Sequence, residues 1–386
     1  MALLLSGYCR GERSSWVTGK RCVRDVACRV IAGGLHPDHA TIARFRARHE
    51  EALGGLFSQV LRLLAAEGMV SLGLLSLGGT KLAGNAAQKA NRTLPQIEKI
   101  LAEAAAADAA DDAREGDSPP PATPRALARR AERRERLARA RDRLAAGDKA
   151  RRDAQRARQE AREAAAAAGK RRGRRPADEP PRASRAGTGP RADITDPDVR
   201  VMRNQKGYVA GCNGQAVVTA DQVIVGAMLS QHPVGRTLPH PVPDTCREQL
   251  TQAGIRPELR TVLADSGYAS EENFARADAD GLRLLAPLAK DPGKDQGRRR
   301  GHAPRRTRHL DQYPATARAA RRLRHHRGKE DRKLRARTVE PVFGQLKTCQ
   351  KLSLMSRRGH TACESERLLA RTARNLRKLH RHRVGG

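Results

Sequence analysis

The sequence has 386 residues, of which 76 are lysine or arginine and 42 are aspartate or glutamate, giving a formal net charge of +34 at pH 7. Hydrophobic residues make up 38% and aromatic residues only 2%, so a core can form but must be built from aliphatic side chains. A charge of this sign attracts polyanions, and nucleic acid is the expected partner because each neutralised phosphate releases condensed counterions. Arginine enrichment from biased codon usage is the alternative origin, but it does not account for an excess this large.

The cysteines and the hydropathy exclude several classes of protein. None of the seven cysteines stands in CxxC spacing and their number is odd, which argues against zinc ribbons and disulfide frameworks. The apolar start of the chain is too short for a signal peptide, and no apolar run approaches the length of a membrane span. We expect a cytoplasmic, nucleoid-associated protein without a membrane segment.

Residues 1–69 are predicted to form a helical N-terminal region that binds DNA. Asp38 is placed to cap a helix over residues 41–48, and apolar side chains recur at helical spacing over residues 53–66. Two short helices with basic residues around their turn resemble a helix-turn-helix contact, and a plain helical bundle with solvated arginines is the alternative. The candidate DNA contacts on the first of these helices are Arg44, Arg46 and Arg48.

Residues 70–98 are predicted to contain the first strand of an α/β domain, an apolar run that ends in Gly78 and Gly79. From residue 99 to residue 192 the composition changes to Ala, Arg, Glu and Asp, which predicts a helical insertion that is partly disordered. We interpret this insertion as a solvated helical arm or a weak coiled coil, broken by Pro-rich loops, and not as a core element. Its scattered apolar residues are Leu127, Leu137 and Leu144.

Residues 193–386 are predicted to complete the α/β domain and to end in basic helices. The predicted strands are 208–220, 223–229, 261–264 and 282–288; the predicted helices are 243–253, 270–280 and most of 314–385, after a basic loop at 290–312. Three strands followed by alternating helices and strands is the order of an RNase H-like mixed sheet flanked by helices, and other mixed sheets share that order.

Two carboxylates are the candidate metal ligands and catalytic residues. Asp265 follows a predicted strand directly, and ligands bind at the carboxyl ends of strands in open α/β sheets. Glu340 lies on a predicted helix whose Val339 and Val342 have core spacing, and Lys347 comes two turns along the same side, where it would contact phosphate. Oxygen ligands suit Mg²⁺ or Mn²⁺ rather than zinc. A turn aspartate and a surface Glu–Lys pair are the alternatives.

Seven stretches resemble one family, in that family's order: the DDE-type insertion-sequence transposases, which combine an RNase H-like catalytic domain with an inserted helical arm. These stretches are residues 7–15 (GYCRGERSS), 37–49 (PDHATIARFRARH), 79–94 (GTKLAGNAAQKANRTL), 195–218 (TDPDVRVMRNQKGYVAGCNGQAVV), 264–273 (ADSGYASEEN), 338–347 (TVEPVFGQLK) and 362–379. They extend over nearly the whole chain, and only the arm is unmatched.

The resemblance implies DNA transposition: cleavage and strand transfer, a DNA recombination, at the terminal inverted repeats of a mobile element. It implies two Mg²⁺ or Mn²⁺ ions held by three carboxylates, with double-stranded DNA as the partner and a homodimer in the synaptic complex. Asp265 matches the second family aspartate, Glu340 the glutamate and Lys347 the lysine that follows it. Arg335 matches the arginine upstream of the glutamate, and Lys81 belongs to the family's Asp-Gly-Thr-Lys motif.

The chain departs from the family pattern at the first aspartate, because residues 78–81 read Gly-Gly-Thr-Lys. In a two-metal site this carboxylate usually bridges both ions, so Gly78 should weaken both coordination spheres. Asp196 and Asp198 are the nearest candidates to replace it. A catalytically inactive remnant that only binds DNA is therefore an alternative. A basic RNA-binding or ribosome-associated protein is an alternative from another class.

Overall fold

The computed structural model describes six ranges of the chain, and these form two compact units. Unit 1 consists of Met1–Asn85 and Val201–Gly386, and unit 2 consists of Ala86–Arg200. The described ranges are residues 1–113, 124–167, 190–204, 207–232, 241–288 and 312–385. The greater part of the predicted basic loop, residues 290–311, lies outside them.

Mixed α/β structure is present, as the sequence predicts. The strands are β1 (Leu74–Ala83), β2 (Asn91–Thr93), β3 (Arg191–Asp193), β4 (Arg200–Asn204), β5 (Gly207–Thr219), β6 (Ile224–Ser230), β7 (Thr261–Leu263) and β8 (Arg283–Leu285). The helices of the first half are α1 (Ala2–Cys9), α2 (Ser15–Arg24), α3 (Val26–Ile31), α4 (His39–Arg48), α5 (Glu50–Ala66), α6 (Leu94–Ala113) and α7 (Pro124–Ala167). Those of the second half are α8 (Pro241–Gln252), α9 (Glu271–Ala279), α10 (Pro314–Arg324), α11 (His326–Thr348) and α12 (His360–Gly385).

A six-stranded sheet forms the centre of unit 1, in the order β4-β5-β1-β7-β8, with β6 also paired to β5. Strands β1, β5 and β6 are antiparallel neighbours, whereas β7 runs parallel to both β1 and β8. The carboxyl ends of β1 and β7 therefore point the same way, but β1 continues seven residues beyond Ser76, which pairs with the last residue of β7.

Strand β1 is longer than the sequence predicts. The glycine pair was expected to end it, but the ladder with β5 continues from Leu75 opposite Thr219 to Ala83 opposite Gly211. Backbone hydrogen bonds to a long partner strand carry β1 through Gly78 and Gly79, although glycine alone weakens a strand. The first position of the family motif thus lies inside the sheet and not at its edge.

Local capping and turn signals are confirmed. Asp38 accepts a hydrogen bond from the Thr41 amide at 2.7 Å and begins α4, and Ser270 accepts one from the Asn273 amide and begins α9. The predicted hairpin is formed by β5 and β6, whose turn includes Gln222 at a positive φ of 63°. Short side-chain hydrogen bonds of this kind are local in sequence, which is why sequence patterns predict them.

The N-terminal helices share the main core with the sheet. Leu53, Phe57 and Leu61 of α5 belong to the same buried cluster as Leu369 and Ala373 of α12. Helix α12 also contacts the sheet directly, because the Asn375 side chain accepts from the Ile224 amide at 3.1 Å and donates to the Ile224 carbonyl at 2.8 Å. A DNA contact by this helical region stays a prediction.

Unit 2 has a small core of its own, which corrects the prediction of a solvated arm. Buried apolar side chains of α6 and α7 pack together with Ala192 of β3; they are Ile97, Leu137, Ala140 and Leu144. On α7 the buried residues are spaced three and four positions apart and form one stripe that packs against Ile97 of α6. The low overall hydrophobicity of the segment obscured this stripe. The predicted disorder and the side chain of Leu127 lie outside the described residues. Within the described part of the chain, no helix combines the length and the apolar character that crossing a membrane requires.

Candidate active site

Helix α11 carries Glu340 and packs on β1. Val339 and Val342 are buried in the main core, as their spacing predicts. Thr338 Oγ1 lies 2.6 Å from Ser76 Oγ and forms a hydrogen bond that joins the helix to β1. Glu340 stands beside this buried face, and its side chain is 63% exposed. The helix therefore presents one carboxylate at the margin of its contact with the sheet.

Pro341 within α11 creates a second attachment of the helix. A proline has no N–H, so the carbonyl of Arg337, four residues earlier, loses its partner within the helix. The Gln222 side chain donates to this carbonyl through Nε2 at 3.2 Å. The turn between β5 and β6 thus supplies a hydrogen-bond donor to the carbonyl that the proline leaves free. This contact attaches the part of α11 that immediately precedes Glu340.

Asp265 directly follows β7 and is oriented by its own turn. Its Oδ1 accepts a hydrogen bond from the Gly267 amide at 2.8 Å, in a single turn of 3₁₀ helix over Ser266–Tyr268. A Cβ added to Gly267 would lie 2.8 Å from the same oxygen, so a side chain at that position would displace the carboxylate. Its other oxygen, Oδ2, faces Arg335.

Arg335 brings the two carboxylates to one guanidinium. Its Nη2 lies 3.5 Å from Asp265 Oδ2, and its Nη1 lies 3.6 Å from Glu340 Oε1. Its Nε donates to the carbonyl of Leu77 at 3.4 Å, which anchors the side chain on β1. Ion pairs this long and this exposed contribute at most about 1 kcal/mol, so both carboxylates remain accessible to a cation from solvent.

Lys81 of β1 interacts electrostatically with the same site. Burial lowers the pKa of its ammonium group, and the negative charge of Asp265 opposes that shift. Lys347 of α11 lines a narrow cleft together with Thr80 and Phe343, and burial lowers its pKa as well. Lys81 therefore lies on the strand that carries Gly78, and Lys347 lies beside that strand. Their predicted contacts with DNA phosphates stay predictions.

A buried polar pair next to Asp265 was not predicted from the sequence. The Tyr268 hydroxyl forms a short hydrogen bond with Gln215 Oε1, and both residues are buried. Burial raises the pKa of Tyr268 well above its usual value, Asp265 adds to the shift, and Arg335 opposes it. The one available signal was the presence of two polar residues, Asn213 and Gln215, within the apolar sequence of β5.

Gly78 faces α11 and has no room for a side chain. A Cβ built there would lie 2.9 Å from both Phe343 Cε2 and Val339 Cγ2. The register of β1 and β7 pairs Ser76 with Leu263, and extending it by two residues brings Gly78 level with Asp265. Gly78, the position that the family motif assigns to the first aspartate, is thus level with Asp265. Apolar side chains of α11 fill the space that a side chain at Gly78 would occupy.

The donor set fits one divalent ion and not a pair. Across the described ranges, no three His, Cys, Asp or Glu side chains are grouped so that they could hold a metal. Asp265 and Glu340 supply two carboxylates, which suffice for Mg²⁺ because this ion keeps several of its own waters. A bridging ligand for a second ion is missing at Gly78.

The remaining predicted residues lie in different surroundings. Arg44 and Arg48 are exposed on α4. Arg46 is buried, and its Nη1 donates to the Arg13 carbonyl at 3.0 Å. In unit 2, Asp198 pairs with Arg139 at 3.0 Å, and Asp196 Oδ1 accepts from the Asp198 amide. The proposed DNA contacts and the proposed carboxylate substitution stay predictions.

In a comparison with known families, residues 292–380 match the family described as "Transposase DDE domain". The matched segment includes Arg335, Glu340 and Lys347, together with all or most of helices α10 to α12. Gly78 and Asp265 lie outside it, so their positions in the motif rest on the sequence resemblance. Searches among curated proteins and among solved structures give no match. The match supports the resemblance to DDE-type transposases seen in the sequence, and it covers the C-terminal segment of the chain.

Proposed function

We propose that the chain acts on double-stranded DNA at the terminal inverted repeats of an insertion sequence, with DNA cleavage and strand transfer as its chemistry. The observation that carries this proposal is the contact of Arg335 with both Asp265 and Glu340. Carboxylates that meet at the end of a parallel strand, beside lysines, are suited to act on a phosphodiester. Three antiparallel strands followed by two parallel ones support an RNase H-like sheet.

A bound Mg²⁺ or Mn²⁺ would supply an activated water and neutralise charge on the scissile phosphate. In this proposal Asp265 and Glu340 would hold the ion. Arg335 keeps both carboxylates in place before the ion binds. Lys81 and Lys347 hold phosphate oxygens of the DNA. Two copies of the chain pair the two element ends in a synaptic complex, at the nucleoid in the cytoplasm. We derive no step through a second ion, because Gly78 offers no ligand for it.

A second candidate function is that of a DNA-binding remnant which occupies the element ends without cutting them. The specific observation in its favour is the packing of Val339 and Phe343 into the space above Gly78. A helix that has closed over the position of a lost ligand leaves no space for a bridging carboxylate. Under this reading DNA binding persists, because the basic residues are independent of Gly78.

A cleavage assay separates the two candidates. The full chain is incubated with Mg²⁺ and a duplex that carries the inverted repeat flanking its gene, and strand nicking at the element end is measured. The variants are Asp265→Asn, Glu340→Gln and the control Glu330→Gln, which removes an exposed carboxylate from the same helix. Nicking by the wild type and the control, but not by the Asp265 and Glu340 variants, supports the proposed transposase activity. Repeat-specific binding without nicking supports the remnant, and a preference for RNA over the repeat contradicts both.

A further inference from the structure

A basic cavity of about 350 Å³ lies between α12 and the C-terminal end of α11. It adjoins Met69, which precedes β1, and Gln222 in the turn between β5 and β6. Both mark the end of the sheet where β1 begins, whereas Asp265 follows the opposite, carboxyl end of β7. The cavity is therefore separate from the carboxylate pair, and neither Asp265 nor Glu340 lines it.

Basic side chains of one helix face make up much of the lining. They recur at three- and four-residue spacing on α12, and they are Arg374, Arg377, Lys378, Arg381 and His382. No acidic residue is among the described residues that line the cavity. Like charges at this spacing repel one another and destabilise a helix, so an anion in the cavity would remove a cost that the free protein bears.

Electrostatic shifts agree with this crowding. Burial lowers the pKa of Arg374 to about 10, and the charge of Arg381 contributes in the same direction. Burial also lowers the pKa of Lys378, with Arg374 and Arg381 adding to the shift and Asp221 opposing it. Each of these cations is held in a place where a positive charge is disfavoured unless a negative charge joins it.

Buried polar atoms without partners provide an independent observation. Gln350 is 1% exposed and lines the cavity, yet within the described structure neither its Nε2 nor its Oε1 has a hydrogen-bond partner. The Nε of the buried Arg374 is also without one there. Buried amide and guanidinium groups are nearly always hydrogen-bonded in proteins, so donors of this kind indicate a missing acceptor.

We propose that this cavity is a second phosphate-binding site, which takes a phosphate group between the basic face of α12 and the amide of Gln350. Its chemistry is several cationic donors with a neutral amide donor, which suits the oxygens of a phosphate monoester or diester. Phosphate groups of DNA and of free nucleotides share this chemistry. The site does not involve Asp265 or Glu340, so its failure leaves the proposed cleavage activity untouched.

The test measures the affinity of the full chain for inorganic phosphate, from the rise in unfolding midpoint relative to sodium chloride of equal ionic strength. Arg377→Gln combined with Arg381→Gln removes two cavity charges. Arg24→Gln combined with Arg29→Gln is the matched control, since these exposed arginines of α2 and α3 do not line the cavity. We expect phosphate affinity to fall about tenfold or more in the cavity variant and to stay within about twofold of wild type in the control.

Gln350→Leu tests the same site without changing its charge. We expect this variant to lose phosphate affinity while its midpoint in chloride stays equal or rises, because an unpartnered buried amide is removed. Equal phosphate stabilisation of all variants, or an equal loss in the cavity variant and the control, would overturn the proposal. Competition experiments then separate the two sources of the phosphate group. If ATP competes with phosphate and a short DNA duplex does not, the ligand is a free nucleotide. If the duplex competes and ATP does not, the ligand is DNA.

Discussion

Replacing Gly78 by alanine tests the claim that α11 fills the space of the missing carboxylate. The added Cβ would lie 2.9 Å from Val339 Cγ2 and from Phe343 Cε2, closer than carbon atoms approach without displacement. A valine methyl and an aromatic ring edge in a packed core cannot move independently of their helix. Either α11 shifts away from β1, or the strand distorts.

The expected loss follows from two opposing terms. A glycine to alanine change inside a strand ordinarily stabilises by about 0.5–1 kcal/mol, whereas overpacking a core costs about 1–3 kcal/mol. We therefore expect Gly78→Ala to lower the free energy of unfolding by about 1–2 kcal/mol, measured by urea denaturation. Gly344→Ala is the matched control, because Gly344 is an exposed glycine of α11 whose Cβ would meet no atom within 4 Å. It should stabilise by about 0.5–1 kcal/mol.

A double-mutant cycle identifies the neighbour responsible. In a Val339→Ala background the penalty of Gly78→Ala should shrink by at least about 0.5 kcal/mol, because two of the three close atoms are gone. Stabilisation by Gly78→Ala equal to that of Gly344→Ala would refute the reasoning. If the penalty is found, restoring an aspartate at position 78 requires a smaller residue at 339 in the same chain.

Three further predictions concern the site and its surroundings. Arg335→Gln should raise Mn²⁺ affinity by about three- to tenfold, measured by titration, because a positive charge between the two carboxylates is removed. Tyr268→Phe should lower the free energy of unfolding by about 1–3 kcal/mol in urea denaturation, because Gln215 Oε1 loses its buried donor. Burial, with Glu366 second, raises the pKa of Tyr8 to about 12, so its contribution to stability is intact below pH 10 and is lost as the pH rises towards 12.

Each of these predictions has an outcome that would contradict it. Unchanged or weaker Mn²⁺ binding in Arg335→Gln would mean that the guanidinium does not compete with the ion. Tyr208→Phe changes an exposed tyrosine and should alter the free energy of unfolding by no more than about 0.5 kcal/mol. A loss in Tyr268→Phe as small as that in Tyr208→Phe would contradict the hydrogen bond to Gln215. For Tyr8→Phe, the stability difference from wild type should shift in favour of the variant by about 1.4 kcal/mol per pH unit above pH 10. A difference independent of pH would contradict the buried phenol.

Sequence patterns predicted the parts of the fold that depend on near neighbours. The cap at Asp38, the hairpin of β5 and β6, and the buried face of α11 follow from interactions a few residues apart. The length of β1 could not be predicted, because it depends on pairing with β5, more than a hundred residues away in the chain. The core of unit 2 was missed for a similar reason, because the apolar residues of α6 and α7 form a core only when the two helices pack against each other.

The candidate site shows the same division. Asp265 and Glu340 were identified from their own segments, and the contact of both with Arg335 required the packing of α11 on β1. The pairing of Gln215 with Tyr268 was missed because it joins β5 to the turn after β7, and neither segment contains it alone. The closeness of Gly78 to Val339 and Phe343 is equally a property of packing, and no local pattern contains it.

Manganese binding tests most directly whether the carboxylate pair holds a divalent cation. The full chain is titrated with Mn²⁺, and free ion is measured by electron paramagnetic resonance for the wild type, for Asp265→Asn with Glu340→Gln, and for Glu330→Gln. The account predicts one bound ion per chain in the wild type and in the Glu330 variant, and none at the same concentrations in the double variant. Equal binding by all three proteins would place the ion elsewhere and contradict the account.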